Sequence, residues 1–379
     1  MGLTADMTLE TAPIAGLSDE GLFRVLNDDG SIVDGYTSLA SEEVLLRAYR
    51  EIKRLRVLDA RMMLLQRQGR IGFYGTCTGQ EATPIAAALA IAKDDWVFQA
   101  LRESSIMLVR GFPLTRYIAQ IFGNSHDVLK GRMQPSHMAG RAVNQVSWSS
   151  CIGPQLPQAV GAAWASKLKG DKTVVLGFLG DGATSQPDFH NALNFAAVYR
   201  VPCVTICQNN HWAISVPASK QTASSTFAVK GRAYGVPSYR VDGNDVLAVY
   251  DTIKRCVDAA RAGEGPSFIE CVTYRIGAHS SSDDPTRYRS QEEVDEWIAK
   301  DPKKRLQLHL TKRGLWNDSR EEELEKELNV EIGEAITVVE KYEAPARETI
   351  FDDVYEQLPW HLAEQRKELL NHPKAPTHS

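Results

Sequence analysis

The sequence predicts an α/β protein built on a doubly wound parallel sheet with helical additions at both ends, and three observations carry that prediction. Two short apolar runs, Val174 to Leu179 and Pro202 to Gln208, bracket a helical stretch from Asp188 to Tyr199. Runs of that length suit buried strands and are too short for buried helices. A strand–helix–strand unit of this kind makes its two strands parallel and near neighbours. The pattern recurs downstream as Val236 to Val241, a helix over Val246 to Ala262, and Ser267 to Tyr274. Polar punctuation then falls at the carboxyl ends of the first two strands, Gly180-Asp181-Gly182 after one and Asn209-Asn210 after the other. That edge is where open α/β sheets bind ligands. The two glycines read as φ-permissive residues on either side of a carboxylate in a turn.

Taken in order, residues 1–40 are mixed and turn-rich, with Asn27-Asp28-Asp29-Gly30 as a turn, and read as an arm lying on another part of the protein. Ser41 caps a long helix with Glu42 and Glu43 at its positive end, and apolar residues keep helical spacing to about Gln68 before Gly69 stops it. The glycine-rich stretch 69–75 is a loop, and an alanine-dense helix over Gln80 to Ala92 reads as buried. Asp94 to Glu103 is a loop or strand leading to Arg102, and Pro113 to Phe122 is a helix with proline in its first turn. From Gly123 to Ser150 the periodicity lapses, which marks a long loop. His137 lies in it, either as a functional group or as a loop histidine bonded to backbone. Ile152 to Leu168 is a helix whose small residues Gly161, Ala162, Ala163 and Ala165 suit close packing on the sheet. Ser215 to Ala233 reads as loop. The charged helices Glu292 to Lys300, Lys304 to Lys312 and Ser319 to Ala344 follow, the last read as presenting a solvated face, and the tail after Leu370 as frayed. The domain division expected is 1–40 as arm, 41–310 as the α/β domain and 311–379 as a helical extension.

Composition narrows the function classes. The 379 residues can bury a large core, and a net charge of −5 gives no reason to expect nucleic acid as a partner. There is no run of 18 apolar residues, so no membrane span is expected. The six cysteines lack paired metal-site spacing and fall mostly in apolar runs, so they read as buried reduced thiols. The first 16 residues are acidic and hold no Lys or Arg, which argues against a secretory signal or a presequence; a bacterial cytoplasmic setting is expected.

The chemistry sits at the strand ends. A carboxylate at Asp181 and an amide oxygen at Asn210 are hard ligands that suit Mg²⁺, an ion that keeps water and takes further ligands from phosphates. A lone Gly-Asp-Gly is common in loops, where it is a tight turn with a solvated aspartate. Followed after 26 residues by Asn-Asn, with a strand–helix–strand between, it resembles the thiamine diphosphate signature. His279, in the loop Arg275-Ile276-Gly277-Ala278-His279-Ser280-Ser281-Ser282-Asp283-Asp284 after the last strand, reads either as a ligand or acid of the site or as a solvated imidazole. No GxGxxG follows the strand, which weighs against a nicotinamide site.

With Gln66-Arg67-Gln68-Gly69-Arg70-Ile71-Gly72-Phe73-Tyr74, Lys130-Gly131-Arg132, Val241-Asp242-Gly243-Asn244-Asp245 and Phe351-Asp352-Asp353-Val354-Tyr355, the chain from about Leu22 to Leu370 resembles the alpha subunits of thiamine diphosphate-dependent 2-oxo acid dehydrogenases, of the branched-chain type. The resemblance implies the thiamine diphosphate-binding fold and decarboxylation of branched 2-oxo acids such as 3-methyl-2-oxobutanoate. It also implies a beta subunit in an α₂β₂ assembly, and acyl transfer to a lipoyl-bearing acyltransferase component. By position it implies Asp181, Asn210 and the carbonyl of Trp212 as Mg²⁺ ligands, and Gly180, Gly182 and Ala183 against the diphosphate. Arg102 and His279 would reach the diphosphate oxygens or the reacting centre, with His279 catalytic. Ser150 and Ile152 would lie on the pyrimidine side and Phe73 in the substrate pocket. Ser149, Cys151 and Gln155 match a monovalent-cation loop for K⁺, and Ser280 matches a serine phosphorylated in mitochondrial relatives. The chain departs from the family pattern at Leu101, Met133-Gln134, Pro154, Gln186-Pro187 and Gln208. Two other readings are weighed: a pyruvate or acetoin dehydrogenase alpha subunit, and a non-catalytic assembly subunit with a decayed site.

Overall fold

The computed structural model describes residues 16–373. The acidic stretch that carried the compartment reading, up to residue 15, and the last six residues of the tail lie outside the described residues. The elements, in chain order, are α1 (Glu42–Arg67), α2 (Ala82–Ala90), β1 (Trp96–Phe98), α3 (Ser105–Val109), α4 (Leu114–Phe122), β2 (Gln145–Val146) and α5 (Gln155–Lys169). There follow β3 (Val175–Gly180), α6 (Pro187–Tyr199), β4 (Cys203–Asn209), a hairpin of β5 (Trp212–Ala213) and β6 (Val216–Pro217), β7 (Ser238–Asp242), α7 (Val246–Ala262) and β8 (Ser267–Val272). The chain closes with α8 (Gln291–Ile298), α9 (Pro302–Lys312), α10 (Asp318–Val339) and α11 (Trp360–Asn371).

Six strands form one sheet in the order β2-β1-β3-β4-β8-β7, every pairing parallel. The chain winds from β1 outward to β2, then returns to lay β3 on the other side of β1, so the strand order reverses between β1 and β3. The central strands are apolar throughout because both faces are covered. Leu176 and Phe178 of β3 and Val204 and Ile206 of β4 point into a core shared with α1, α2 and α7. Val175, Leu179, Cys203 and Cys207, alternating with them, point into a second core under α5 and α6. A Cβ on Gly177 would meet Ala159 and Leu156 of α5 at 3.2 Å, which measures how closely that helix lies on the sheet. Its sheet-facing residues are Leu156, Ala159, Val160 and Ala163; Gly161 and Ala165 are exposed, so the small-residue face expected against the sheet is only partly the buried one.

Two further differences from the sequence reading concern short or polar segments. The aperiodic stretch before Ser150 holds the edge strand β2, two residues long and without a periodic signal to show it. The charged face of α10 is not simply solvated. Lys53 of α1 is buried and its Nζ donates to Glu321 Oε1 at 2.7 Å, while Tyr49 Oη donates to Glu321 Oε2 at 2.7 Å. Arg50 and Glu327 pair across the same interface at 2.8 Å. Within the described part of the arm, Phe23 lies on the sheet edge: its N–H donates to Arg240 O and its O accepts from Asp242 N–H, both at 2.9 Å, beside β7. Residue 310 falls within α9, whose Leu306 and Leu310 share the first core.

Asp245 ties the arm to the body. Its buried carboxylate accepts from the N–H groups of Val25 (2.7 Å), Leu26 (2.5 Å), Leu247 (3.0 Å) and Ala248 (3.1 Å), capping α7 and anchoring the arm at once. Replacing Asp245 by Ala leaves four buried donors unmatched, and we expect Asp245→Ala to cost about 2–4 kcal/mol, read as a lowered urea midpoint.

Candidate active site

β3 ends at Gly180, and a tight turn over Asp181–Ser185 carries the chain off the sheet edge. Gly180 is extended (φ −87°) and Gly182 is not in the left-handed region either, so these glycines do not serve positive φ as the turn reading expected. They serve space. A Cβ on Gly182 would lie 2.6 Å from that of Ala213 in the β5 strand, whereas one on Gly180 would meet nothing within 4 Å. Asp181 is buried, and Gln221 Nε2 donates to its Oδ2 at 2.6 Å. Burial raises its carboxyl above the ordinary range, opposed by the Gln221 bond and, more weakly, by Arg275.

β4 ends one residue before Asn210. Asn210 Nδ2 donates to Gln80 Oε1 at 2.9 Å, and Asn210 Oδ1 accepts from Trp212 N–H at 3.2 Å. The next residue, His211, holds φ at 68°, so the chain reverses sharply into the hairpin. The Trp212 carbonyl faces the Arg275 guanidinium at 3.5 Å.

These strand ends open onto a cavity of about 480 Å³. The residues named from the sequence for cofactor, metal, substrate and cation all line it: Phe73, Arg102, Ser149, Ser150, Cys151, Ile152, Gln155, Gly180, Asp181, Gly182, Ala183, Asn210, Trp212 and His279; Ser280 does not. Of the 149–155 segment, Gln155 donates from Nε2 to Phe178 O at 2.8 Å and Cys151 N–H to Ser149 Oγ at 3.3 Å. His137 has the backbone contact of a loop histidine and also lies at the cavity: its ring contacts Pro135 O at 3.3 Å and Ser150 Oγ at 2.5 Å, and it lies against Trp148 on the cavity wall. Gln208, a departure from the family pattern, donates to the buried Glu103, whose other oxygen accepts from Ala100 N–H (2.8 Å) and Arg102 N–H (3.1 Å). Leu101 also lines the cavity.

Sequence reasoning assigned no role to Gln80, Glu103 or Arg275. The last lies in the quoted loop motif, yet nothing in spacing distinguished it. Arg102 and Arg275 are both buried, and the acceptors that hold them are uncharged. Arg102 donates to the carbonyls of Thr76 and, at 2.8 Å, His279; Arg275 donates to Ile214 O at 2.7 Å and Tyr288 Oη at 2.8 Å. Burial lowers the pKa of both guanidinium groups, that of Arg275 to about 10. Burial first, then Arg102 and Arg275, pulls His279 down to about 4, so its imidazole is neutral near pH 7. Two buried cations without an anionic partner are costly unless an anion joins them. The open space at Gly180, the free Nε2 of Gln80 and the oxygen donors at Asp181 and Asn210 fit a diphosphate bridged to Mg²⁺.

Residues 49–348 match the family model described as dehydrogenase E1 component. The chain is 42% identical to the mitochondrial 2-oxoisovalerate dehydrogenase subunit alpha 2 of Arabidopsis thaliana, over 93% of this chain and 76% of that protein. It is 41% identical to 2-oxoisovalerate dehydrogenase subunit alpha of Pseudomonas aeruginosa, over 92% and 87%. It is 40% identical to the mitochondrial subunit alpha of Bos taurus, over 93% and 78%. These relatives correct the expectation of a bacterial cytoplasmic setting, since most are described as mitochondrial and the bacterial one is no more similar. The charge of the first residues was a weak ground for it, because it does not bear on the folded body that the relatives share.

The neutral His279 makes a pH prediction. Its folded-state pKa of about 4 lies below the ordinary 6.5, so the unfolded chain takes the proton first as pH falls. The stability tied to the neutral ring is complete above 6.5 and lost towards about 4. Urea midpoints should therefore fall more steeply for the wild type than for His279→Asn between about pH 7 and about pH 4.5.

Proposed function

The chain belongs to the dehydrogenase E1 component family, and we propose that it is the alpha subunit of a heterotetrameric α₂β₂ 2-oxo acid dehydrogenase. It oxidatively decarboxylates branched-chain 2-oxo acids, of the 3-methyl-2-oxobutanoate kind, and passes the acyl group to the lipoyl domain of an acyltransferase component. The observation that carries this reading is the convergence of Asp181, Asn210 and the uncompensated Arg102 on one cavity at the carboxyl edge of a parallel sheet, with Arg275 buried behind the wall against Trp212 O and His279. The branched-chain assignment rests on relatives named as 2-oxoisovalerate dehydrogenase alpha subunits that match over nine-tenths of the chain.

Thiamine diphosphate, when bound, supplies the electron sink for loss of CO₂ from the 2-oxo acid. The chain's own residues hold it. Asp181, the Asn210 oxygen and the Trp212 carbonyl would ligate Mg²⁺, with the remaining positions left to water and phosphate oxygens. Gly180, Gly182 and Ala183 let the diphosphate come close to backbone, and Arg102 neutralises its charge. The neutral His279 can accept or return a proton beside the reacting centre, a role its depressed pKa suits better than that of a fixed cation. Ser150 and Ile152 flank the pyrimidine side, Phe73 gives the substrate an apolar wall, and Ser149, Cys151 and Gln155 hold K⁺.

A partner follows from the carboxylate count. The cavity is lined by only two carboxylates among the described residues, Asp181 and Glu103. Asp181 is committed to the metal, and Glu103 to Gln208 and two backbone donors. The resemblance implies an acid bonded to the aminopyrimidine ring; with neither carboxylate free for it, the beta subunit is the source this reading assigns. A decayed, non-catalytic site is less well supported: Gln208 and Leu101 alter the wall while leaving the metal ligands and Arg102 in place.

The deciding assay co-expresses the chain with its beta subunit and follows decarboxylation of 3-methyl-2-oxobutanoate against pyruvate with an artificial electron acceptor. A preference for the branched acid that depends on thiamine diphosphate and Mg²⁺ supports the reading; a preference for pyruvate moves the chain to the sister activity. Asp181→Ala should abolish Mg²⁺-dependent cofactor binding. His279→Ala should leave the fold intact and lower decarboxylation or lipoyl acylation by about 10²–10⁴-fold.

A further inference from the structure

We propose that Gln80 is a positioning residue that orients Asn210 for the metal and couples metal binding to diphosphate binding. The inference rests on the cofactor reading above. Gln80 is fully buried on the cavity wall. Its Oε1 accepts from Asn210 Nδ2 at 2.9 Å, while its Nε2 has no hydrogen-bond partner.

An asparagine amide can turn either its oxygen or its nitrogen towards a cation, and only the oxygen ligates Mg²⁺. The acceptor at Gln80 settles that choice. It takes the nitrogen, and Asn210 Oδ1, bonded to Trp212 N–H at 3.2 Å, keeps a lone pair for the metal. Gln80 faces the same ambiguity in turn, since its own amide could rotate and offer a donor to Asn210. A buried N–H₂ without an acceptor is costly, so an anion beside Nε2 is favoured there. Once Nε2 donates to a diphosphate oxygen, Oε1 must face Asn210, and Asn210 must face the metal with its oxygen. Each ligand holds the amide orientation the other requires, and by linkage the effect is reciprocal.

The backbone on both sides of Gln80 is pinned, so these amides, rather than the loop, carry the choice. A Cβ on Gly79 would lie 2.5 Å from Tyr274 O, so only glycine lets the chain pass so close to the end of β8. Gly79 O accepts from Thr273 Oγ1 at 3.0 Å, and Gly79 N–H donates to Glu81 Oε2 at 2.9 Å. The other oxygen of Glu81 pairs with Arg56 of α1.

The test uses the reconstituted assembly with its beta subunit. Mg²⁺ is titrated at saturating thiamine diphosphate, and thiamine diphosphate at fixed Mg²⁺, by quenching of tryptophan fluorescence; Trp148 and Trp212 line the cavity. Gln80→Met keeps the side-chain length and removes both polar atoms, and should raise the Mg²⁺ midpoint about tenfold or more. Asn210→Asp offers oxygen on both faces and has no orientation to choose. In that background Gln80→Met should move the midpoint less than about threefold. Gln80→Glu keeps the acceptor and lacks the donor, so Mg²⁺ should bind nearly as in the wild type while thiamine diphosphate binds about tenfold more weakly. An equal cost of Gln80→Met in both backgrounds, or no cost in either, overturns the inference while the cofactor reading stands. If Gln80→Met does not fold, undiminished thiamine diphosphate affinity in Gln80→Glu overturns it. Absence of Mg²⁺-dependent thiamine diphosphate binding by the wild-type assembly would instead overturn the cofactor reading itself, and the inference with it.

Discussion

The parallel pairing of β3 with β4, Gly180 opposite Gln208, is the constraint on which the rest of the site depends. Neighbouring strands in such a sheet lie about 4.8 Å apart, so two chains that leave it together leave side by side. Asp181 and Asn210 are the residues that do so. Their proximity is a consequence of the core: β3 and β4 keep their register because Leu176, Phe178, Val204 and Ile206 fill one side while Val175, Leu179, Cys203 and Cys207 fill the other. A one-residue slip would exchange the two sets and bring the helices over Gly177 into a clash. The reversal of strand order between β1 and β3 then opens the crevice beside them, and β8 brings the His279 loop to the same edge.

Charge in a dry setting gives this crevice its character. Arg102 and Arg275 are held by carbonyl and hydroxyl dipoles, which fix their positions without neutralising them. Burial, reinforced by the same two cations, keeps His279 neutral, and burial raises the Asp181 carboxyl above its ordinary range. A protein that left these groups without ligands would carry a standing cost in stability. An anion and a divalent cation entering together relieve it at both ends, which is preorganisation in the sense that the polar groups do not have to move when charge arrives.

The outer helices contribute by rigidity. Tyr49 and Lys53 converge on Glu321, which is held near 2 after the opposing effect of burial by its bonds to Lys53 and Tyr49, and so α10 is clamped to α1. α1 in turn supplies Arg56 to Glu81 and Asp59 to the loop carrying Phe73; the Asp59 carboxylate accepts from Tyr74 Oη and from Cys77 N–H, both at 2.8 Å. The substrate-side wall is thus braced from α1, and α1 is held in turn by α10, whose charged surface reads, in sequence, as a solvated face.

By itself the sequence determined the α/β class, the long helices and the strand–helix–strand unit carrying Asp181 and Asn210. Those features are local: hydrophobic period, caps and the spacing between Gly182 and Asn209 act over one element or one crossover. The tertiary structure decided the rest. The contact of Gln80 with Asn210 spans 130 positions, and that of Gln208 with Glu103 spans 105. No period or motif reports a hydrogen bond over such distances. β2 and the role of Arg275 were hidden for the same reason, since a two-residue strand and a single arginine acquire meaning only from what packs against them. The glycines of the Gly-Asp-Gly turn read in sequence as φ-permissive and as letting the backbone come close to a diphosphate. Neither has positive φ, and only the tertiary structure decided that Gly182 is crowded by Ala213 while Gly180 faces open space.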